Sequence, residues 1–388
     1  MRPTRGRRSR RGDLASRRPP GAAAGEARRA APLGLAHRVA GDATGLPRYR
    51  TGDPDLDAAV AALVEQAGGA KDPDLVFEIV VTALRLARDG ATRGDLKIAN
   101  GALKEMRYAF SVFAPYRAAR KASIFGSART RPDDPLYEQT RRFAAAIAEA
   151  GWMVVTGAGP GIMTAGIEGA GADRAFGVSI RLPFETFASE HMIDDPKLVN
   201  FRYFFTRKLS FVKESDAFVL LPGGFGTLDE AFETLTLIQT GKAQPAPIVL
   251  LDVPGGTYWE RWGEFVEAEL EARGYLSSTD LSLVKVTDDV EAAMAEVTGF
   301  YVSYHSLRMV GRDLVLRVRH APDTAELADL NRRFGDIVRS GEIRVSEALP
   351  EEVADDDVPD LTRLVFHFDR RSFSRLREMI DAINAPHR

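Results

Sequence analysis

The sequence predicts an α/β fold: a Rossmann-like, doubly wound parallel sheet with an N-terminal helical cap and a small C-terminal α+β domain. Two observations support this prediction. Short apolar runs alternate with helical segments between Lys121 and residue 299, and such alternation is typical of a parallel sheet covered on both faces. Three of the predicted strands end in small or glycine-rich turns, which is where sheets of this kind bind ligands.

The composition excludes several classes of protein. The chain has 388 residues, of which 45% are hydrophobic and 28% charged, and no stretch approaches the ~18 apolar residues of a membrane span. The sequence contains no cysteine, which excludes disulfides, thiolate metal sites and cysteine nucleophiles. Its six histidines are scattered without metal-ligand spacing, so we expect no histidine-based metal site.

The first 50 residues form a predicted disordered basic arm. They contain 13 arginines, no lysine and three acidic residues, a net charge of +10, whereas the remaining 338 residues carry −13. Such an arm can bind nucleic acid or a membrane surface, and its composition also resembles that of an organelle transit peptide. It lacks the apolar core of a secretory signal. We favour an extension without function, and we expect a cytoplasmic protein with neither a membrane nor a nucleic-acid partner.

Residues 51–118 are predicted to form a helical segment. An apolar stripe of helical period marks its first helix: Leu56, Val60, Leu63 and Val64. Asp72-Pro73 opens a second helix with an aspartate at the N-cap and a proline at the first helical position, and Asp89-Gly90 ends it. A third helix runs from about Asp95 to Ala114 and stops before a proline.

Residues 119–299 are predicted to form the Rossmann-like domain. Its six strands are short apolar runs: Ala122–Phe125, Trp152–Val155, Phe176–Ile180, Ala217–Leu221, Pro247–Leu251 and Leu283–Val286. The helical segments between them include Tyr137–Ala150, Ile162–Gly171, Tyr203–Lys213, Leu228–Thr240 and Tyr258–Ala272. We expect the common strand order 3-2-1-4-5-6 for this sheet.

Residues 300–388 are predicted to form the small α+β domain, whose role the sequence does not indicate. Two segments have the character of strands, Leu314–Val318 and Leu364–Phe368, and two have that of helices, Thr324–Val338 and Phe373–Ile383. An acidic loop, Asp355–Asp357, lies between them.

The turns after the first, second and fourth predicted strands should meet in one crevice, because these strands are neighbours in the expected order. The first turn contains Ser127, the second contains Gly157, Gly159 and Gly161, and the third runs from Gly223 through Gly224, Phe225 and Gly226 to Thr227. Glycines let a ligand approach the backbone, and the helix N-termini that follow attract phosphate. A single glycine-rich turn also fits an ordinary tight strand-to-helix connection.

Two familiar nucleotide sites are excluded. The sequence lacks GxxxxGK[ST], so it is not a P-loop protein. Its third strand continues into Arg181-Leu182-Pro183 rather than into the acidic residue that binds an NAD ribose. We therefore expect a phosphate-bearing ligand that is not a conventionally bound dinucleotide.

Charged residues follow the same turns. Glu230 lies three residues after Thr227, the last residue of the third turn, and Arg207 and Lys208 lie on the preceding predicted helix. Glu185 is a further candidate. The alternative for Glu230 is structural, since Thr227-x-x-Glu230 matches a capping box in which the glutamate bonds to the N-cap backbone. Asp229 and Glu233 are the next carboxylates to consider.

The segment from Pro222 to Glu230 resembles the PGGxGTxxE motif of the Lonely-guy (LOG) family, often labelled "lysine decarboxylase-like". Five further segments resemble that family in the same order: Ser123–Ser127, Thr156–Met163, Leu182–Glu185, Arg207-Lys208 and Leu235–Lys242. The resemblance covers about residues 95–298. It implies hydrolysis of the N-glycosidic bond of AMP-like or cytokinin riboside 5'-monophosphates by a homodimer or larger homo-oligomer, without a metal or other cofactor.

The resemblance further implies that Arg207 and Glu230 are the catalytic pair. Substrate binding is implied for Glu185, Lys208, the turn Gly224–Asp229 including Leu228, and Thr236. A carboxylate can stabilise the oxocarbenium charge that develops as the bond breaks, and it can activate the attacking water. Arginine is a poor acid, so we expect Arg207 to hold phosphate or ribose hydroxyls, and the proton donor to the leaving base stays unassigned. The alternative function is a non-catalytic nucleotide sensor or carrier.

Overall fold

A computed structural model describes residues 46–181 and 192–387. Nearly all of the predicted arm lies outside the described residues, as does Glu185. Three helices begin the described chain, as predicted: α1 (Pro54–Ala67), α2 (Pro73–Arg88) and α3 (Arg93–Phe113). No helix in this part of the chain combines the length and apolar character that crossing a membrane requires.

The central sheet has seven parallel strands. They are β1 (Lys121–Phe125), β2 (Met153–Thr156), β3 (Ala175–Ile180), β4 (Leu198–Phe201), β5 (Ala217–Leu220), β6 (Ile248–Leu251) and β7 (Val284–Thr287). Their order is β4-β3-β2-β1-β5-β6-β7, so the predicted fold class is confirmed and the six predicted strands have the expected order. The sequence prediction missed β4, an edge strand whose four residues include the exposed Asn200 and the half-buried Leu198.

Helices cover both faces of this sheet. They are α4 (Pro135–Glu149), α5 (Ile162–Ala170), α6 (Phe204–Glu214), α7 (Phe225–Gln239), α8 (Tyr258–Val266), which a π-helical turn extends to Glu271, and α9 (Val290–Gly299). Each face has its own apolar core. Helix α3 belongs to one of these cores, because its Phe113 ring stacks on Phe176 of β3 with the ring centroids 4.3 Å apart. The third N-terminal helix is therefore packed as a layer of the α/β structure.

The C-terminal part contains a four-stranded antiparallel sheet. Its strands are β8 (Tyr304–Val310), β9 (Asp313–Val318), β10 (Val338–Ser346) and β11 (Thr362–Phe368), in the order β10-β11-β9-β8. Its helices are α10 (Thr324–Phe334), α11 (Pro350–Ala354) and α12 (Phe373–Asn384). The prediction missed β8 and β10, and its helix Thr324–Val338 was too long. Strand β10 is bulged and mostly exposed, so it lacks the apolar run on which the prediction depended.

Helix α12 connects this sheet to the α/β core. Ser374 donates to Asp280 at 2.5 Å, and the Arg377 guanidinium pairs with Glu296 of α9. The Phe373 ring packs against Gly241, whose φ is +67° and where a Cβ atom would lie 2.0 Å from the ring. Only glycine fits at that position, so the contact after α7 depends on it.

Two fully buried arginines lie opposite one another on the face of the second sheet that points away from its apolar core. Arg317 of β9 and Arg363 of β11 are register partners, and Glu352 of α11 accepts from both, with N–O distances of 2.8 and 3.2 Å. Asp357 also pairs with Arg317. Like charges directly opposite one another destabilise a sheet. The carboxylates of Glu352 and Asp357 offset the repulsion between the two guanidinium groups, and their ion pairs hold α11 and the acidic loop against this face.

We expect Glu352→Gln to destabilise the protein by about 3–5 kcal/mol, because removing one member of a buried ion network leaves uncompensated charge. Urea denaturation measures this change. Burial raises the pKa of Glu352, but the hydrogen bond and charge of Arg317 lower it, and the net shift is downward. The ion network therefore stabilises the fold above the ordinary glutamate pKa, and this stabilisation is lost on acidification below that pKa. The control is Glu351→Gln at the exposed neighbouring position, expected within about 0.5 kcal/mol. Equal effects of the two variants would contradict the role assigned to Glu352.

Candidate active site

A cavity of about 920 Å³ lies beyond the carboxyl ends of β1, β2 and β5. Residues from all three predicted turns line it: Gly126, Ser127, Gly157, Gly159, Gly224, Phe225, Gly226 and Thr227. Arg207, Asp229 and Glu230 line it as well. The turns converge because β2, β1 and β5 are adjacent and parallel.

The glycines of these turns serve two different purposes. A Cβ atom at Gly161 would lie 2.4 Å from the Ser127 carbonyl oxygen, and one at Gly157 would lie 2.6 Å from Nη2 of Arg207. Gly161 is therefore required by backbone packing between two turns, whereas Gly157 makes room for the Arg207 side chain. At Gly224 and Gly226 a Cβ atom would meet nothing within 4 Å, so these two leave space for a ligand.

Helix α7 begins with an open N-terminus beside this space. Its N-cap is Gly224, which makes no side-chain cap, and the first intrahelical bond runs from Leu228 N to Gly224 O at 3.2 Å. The capping box considered as the structural alternative for Glu230 does not form, because Thr227 is the third helical residue and Glu230 the sixth. The helix starts three residues earlier than predicted. Backbone N–H groups of its first turn thus have no helical acceptor and suit an anion.

Helix α6 places Arg207 and Lys208 in different surroundings. Arg207 lines the cavity, and its Nε donates to the Val178 carbonyl oxygen of β3 at 2.9 Å. Burial lowers the pKa of Arg207 while Glu230 raises it, and the guanidinium stays charged at neutral pH. Lys208 instead pairs with Asp229 and Glu233 of α7, at 2.8 and 2.9 Å, and thereby joins the two helices.

Glu230 is a buried carboxyl group with unusual proton affinity. Only 8% of the residue is exposed, and burial raises its pKa to about 7. Lys208 and Arg207 oppose this rise, whereas Glu233 and Asp229 add to it. A carboxyl group poised near neutral pH in a cleft is typical of acid–base sites.

Five of the predicted site residues within the described chain do not line the cavity. The cavity lining does not include Gly161, Gly223, Lys208, Leu228 or Thr236. Thr236 lies further along α7, where its hydroxyl donates to the Phe232 carbonyl oxygen, and its role stays a prediction. Gly223 O accepts from the Tyr258 hydroxyl at 2.7 Å.

Polar and aromatic side chains that were not predicted as site residues also line the cavity, among them Arg129, Arg181, Asn200 and Phe204. Arg129 and Arg181 closely follow the first and third predicted strands, where a search for cations after strand ends would have found them. Asn200 belongs to the missed strand β4. No group of three or more histidine, aspartate or glutamate side chains among residues 46–181 and 192–387 is arranged to hold a metal ion.

Comparison with known proteins finds a family described as "Possible lysine decarboxylase", which matches residues 160–297. The cytokinin riboside 5'-monophosphate phosphoribohydrolase of Mycobacterium tuberculosis is 32% identical over 169 residues, which are 41% of this chain and 83% of that protein. A probable enzyme of the same name from Oryza sativa is 33% identical over 99 residues, which cover 26% of this chain and 44% of the relative. One from Arabidopsis thaliana is 41% identical over 73 residues, with 19% and 32% covered. The chain thus spans less than half the length of these plant relatives.

Among solved structures, the molybdenum cofactor carrier protein of Chlamydomonas reinhardtii matches with a TM-score of 0.32 at 22% identity, covering 46% of this chain and 94% of that one. The molybdenum cofactor binding protein of Rippkaea orientalis matches with a TM-score of 0.33 at 18% identity, covering 45% and 93%.

We expect Glu230→Gln to stabilise the protein at alkaline pH and to leave its stability unchanged at pH 4. The unfolded carboxyl group ionises near its ordinary pKa of 4.5, whereas the folded group ionises at about 7. The folded state therefore binds more protons between these values, and stability falls as pH rises through this window. The amide removes a penalty of about 3 kcal/mol at pH 8.

Urea denaturation at both pH values measures this effect. Glu233→Gln is the matched control on α7, and it should be destabilising at pH 8 because Lys208 loses one of its two partners. A Glu230→Gln protein that is less stable than wild type at pH 8 would show that the carboxylate is stabilised by its surroundings.

Proposed function

Because the chain belongs to the Lonely-guy (LOG) family of phosphoribohydrolases, we propose that it hydrolyses the N-glycosidic bond of nucleoside 5'-monophosphates to a free base and ribose 5-phosphate. The substrates are AMP-like or cytokinin riboside 5'-monophosphates. One observation carries the proposal: Arg207, Glu230 and the open N-terminus of α7 line the same cavity. This combination provides a cation, a carboxyl group near neutral pKa and an anion site.

The 5'-phosphate would bind at the N-terminus of α7. The first-turn N–H groups of Phe225, Gly226 and Thr227 have no helical acceptor, and the helix dipole favours negative charge there. The absence of a Cβ atom at Gly224 and Gly226 leaves the approach open. Ser127, whose backbone N would lie 3.0 Å from a Cβ atom at Gly223, lines the same cavity and provides a hydroxyl group.

Glu230 would act on the anomeric carbon in its ionised form. As the C–N bond breaks, positive charge develops on the ribose ring, and a carboxylate in a cavity of low dielectric stabilises that charge. The same carboxylate can take a proton from the water that forms the new C–O bond. Arg207, fixed by its bond to Val178 O, would hold phosphate or ribose oxygens. The departing base takes up a proton whose donor stays unassigned.

The active form would be a homodimer or larger assembly formed through the α/β region. Aromatic and aliphatic side chains of α6 and α7 are exposed in one chain: Phe204, Phe205, Leu209, Phe225 and Phe232. Phe225 is 93% exposed at the mouth of the cavity. Covering these residues with a second copy would remove apolar surface from water.

The domain division and the cellular location of this protein are also proposals. One is the division into an arm (1–50), a helical segment (51–118), a LOG catalytic domain (119–299) and a C-terminal domain (300–388). The other is a cytoplasmic location, without a membrane or nucleic-acid partner.

We expect AMP to yield adenine, and adenosine to react with a kcat/KM lower by about 10²-fold or more, because binding energy at the phosphate is used to orient the ribose. Chromatography of both reactions measures the free base. Equal rates would remove the phosphate site from the proposal. AMP binding without adenine release would instead support the nucleotide sensor or carrier.

We expect Glu230→Gln to lower the turnover of AMP by about 10²–10⁴-fold, the range for losing a positioned acid–base group. The amide can neither take a proton from water nor offset oxocarbenium charge. AMP affinity, measured by calorimetry, should persist because the backbone of the third turn is unchanged. A folded variant with nearly wild-type turnover would contradict the catalytic role of Glu230, and Glu233 or Asp229 would then be the next carboxylate to test.

A further inference from the structure

Helix α3 runs alongside α6 in the same direction. Near the start of α6, Gly101 lies so close to the Tyr203 ring that a Cβ atom would approach Cε2 to 2.8 Å. One turn further, Glu105 bonds to Thr206. Near the end of α6, the Lys213 ammonium lies 4.7 Å from the centroid of the Phe110 ring. Contacts therefore extend over nearly the whole length of α6, the helix that carries Arg207.

The N-terminus of α6 has no cap of its own. Its N-cap residue is Tyr203, whose side chain makes no capping bond. Glu105 of α3 accepts hydrogen bonds at this end of the helix: Oε1 accepts from Arg202 N, just before the N-cap, at 3.0 Å, and Oε2 accepts from the N-cap Tyr203 N at 3.4 Å and from the Thr206 hydroxyl at 2.6 Å. A carboxylate at this end of a helix also complements the helix dipole.

This external cap holds the turn that precedes Arg207. The backbone N–H of Arg207 donates to the Tyr203 carbonyl oxygen at 3.2 Å, and the Thr206 hydroxyl, which bonds to Glu105, also reaches that carbonyl at 2.9 Å. On its other side, Arg207 is held by Val178 O. The first turn of α6 and the strand β3 together fix where the guanidinium enters the cavity.

We infer that Glu105 is a positioning residue for Arg207: by capping α6 from a neighbouring helix, it sets the place of the guanidinium in the cavity. The inference rests on the proposed function of that cavity. Residue 105 lies before the segment 160–297 that the family described as "Possible lysine decarboxylase" matches.

The test compares Glu105→Ala with Asp95→Ala. Both substitutions remove one capping carboxylate from α3, but Asp95 caps α3 itself, where it accepts from Thr92 N at 2.9 Å. Both variants should lose thermal stability. Only Glu105→Ala should lower kcat/KM for AMP, by up to about 10²-fold, since a displacement of about 1 Å at a positioning group can cost that much.

The pH profile of kcat/KM provides a readout that loss of stability alone would not move. The charges facing Glu230 are Arg207 and Lys208 from α6 and Asp229 and Glu233 from α7, and Arg129 and Arg181 line the same cavity. Arg207 lowers the pKa of Glu230. Its displacement in Glu105→Ala should therefore shift the midpoint of the profile to higher pH, whereas Asp95→Ala should keep the wild-type midpoint.

Binding separates failure of this inference from failure of the proposed function. The affinity for ribose 5-phosphate, measured by calorimetry, should fall about 10-fold in Glu105→Ala and stay unchanged in Asp95→Ala, even if no chain hydrolyses AMP; a lost charge-assisted hydrogen bond is worth about this much. If Glu105→Ala does not fold, the isosteric Glu105→Gln replaces it, because an amide has only one oxygen for the three donors. Equal affinities and equal pH midpoints for the Glu105 and Asp95 variants would overturn the inference.

Discussion

The adjacency of β2, β1 and β5 is the constraint on which the candidate site depends. Their three turns pack against one another so closely that side chains are excluded between them: Gly126 lies against Ile162, and Gly161 against the Ser127 carbonyl. This contact fixes the start of α5 relative to the first turn. The cavity is consequently formed by backbone that is already tightly packed, and little ordering entropy remains to be lost when a ligand binds.

Helices α6 and α7 both begin without a side-chain cap of their own, and the two deficits are met differently. At α6, the Glu105 carboxylate from α3 accepts from Arg202 N just before the helix and from the Thr206 hydroxyl in its first turn. At α7, the first turn lines the cavity, and its backbone N–H groups, which have no helical acceptor, are available to bind an anion. Lys208 joins the two helices through Asp229 and Glu233. The start of α6 is thus held by a neighbouring helix, whereas the start of α7 faces the cavity.

Sequence reasoning found what local patterns encode. Buried parallel strands are apolar runs, so six strands and their order were predictable, whereas β4 is short and partly exposed. The start of α7 was misjudged because Thr227-x-x-Glu230 imitates a capping box, while the real N-cap, Gly224, has no side chain to signal it. The contact of Glu105 with Thr206 spans 101 residues of sequence, and only tertiary packing brings the two together. The raised pKa of Glu230 depends in the same way on burial.

Strand β10 has a consequence for how copies of this protein can meet. It forms one edge of the second sheet, its pairing with β11 is interrupted twice, and most of its residues are exposed, with arginines and a glutamate among them. A bulged, charged edge is a poor template for another strand. Glu352 of α11 and Asp357 of the acidic loop pair with Arg317 on the adjoining sheet face. The addition of a strand from another copy at this edge of the second sheet is therefore disfavoured.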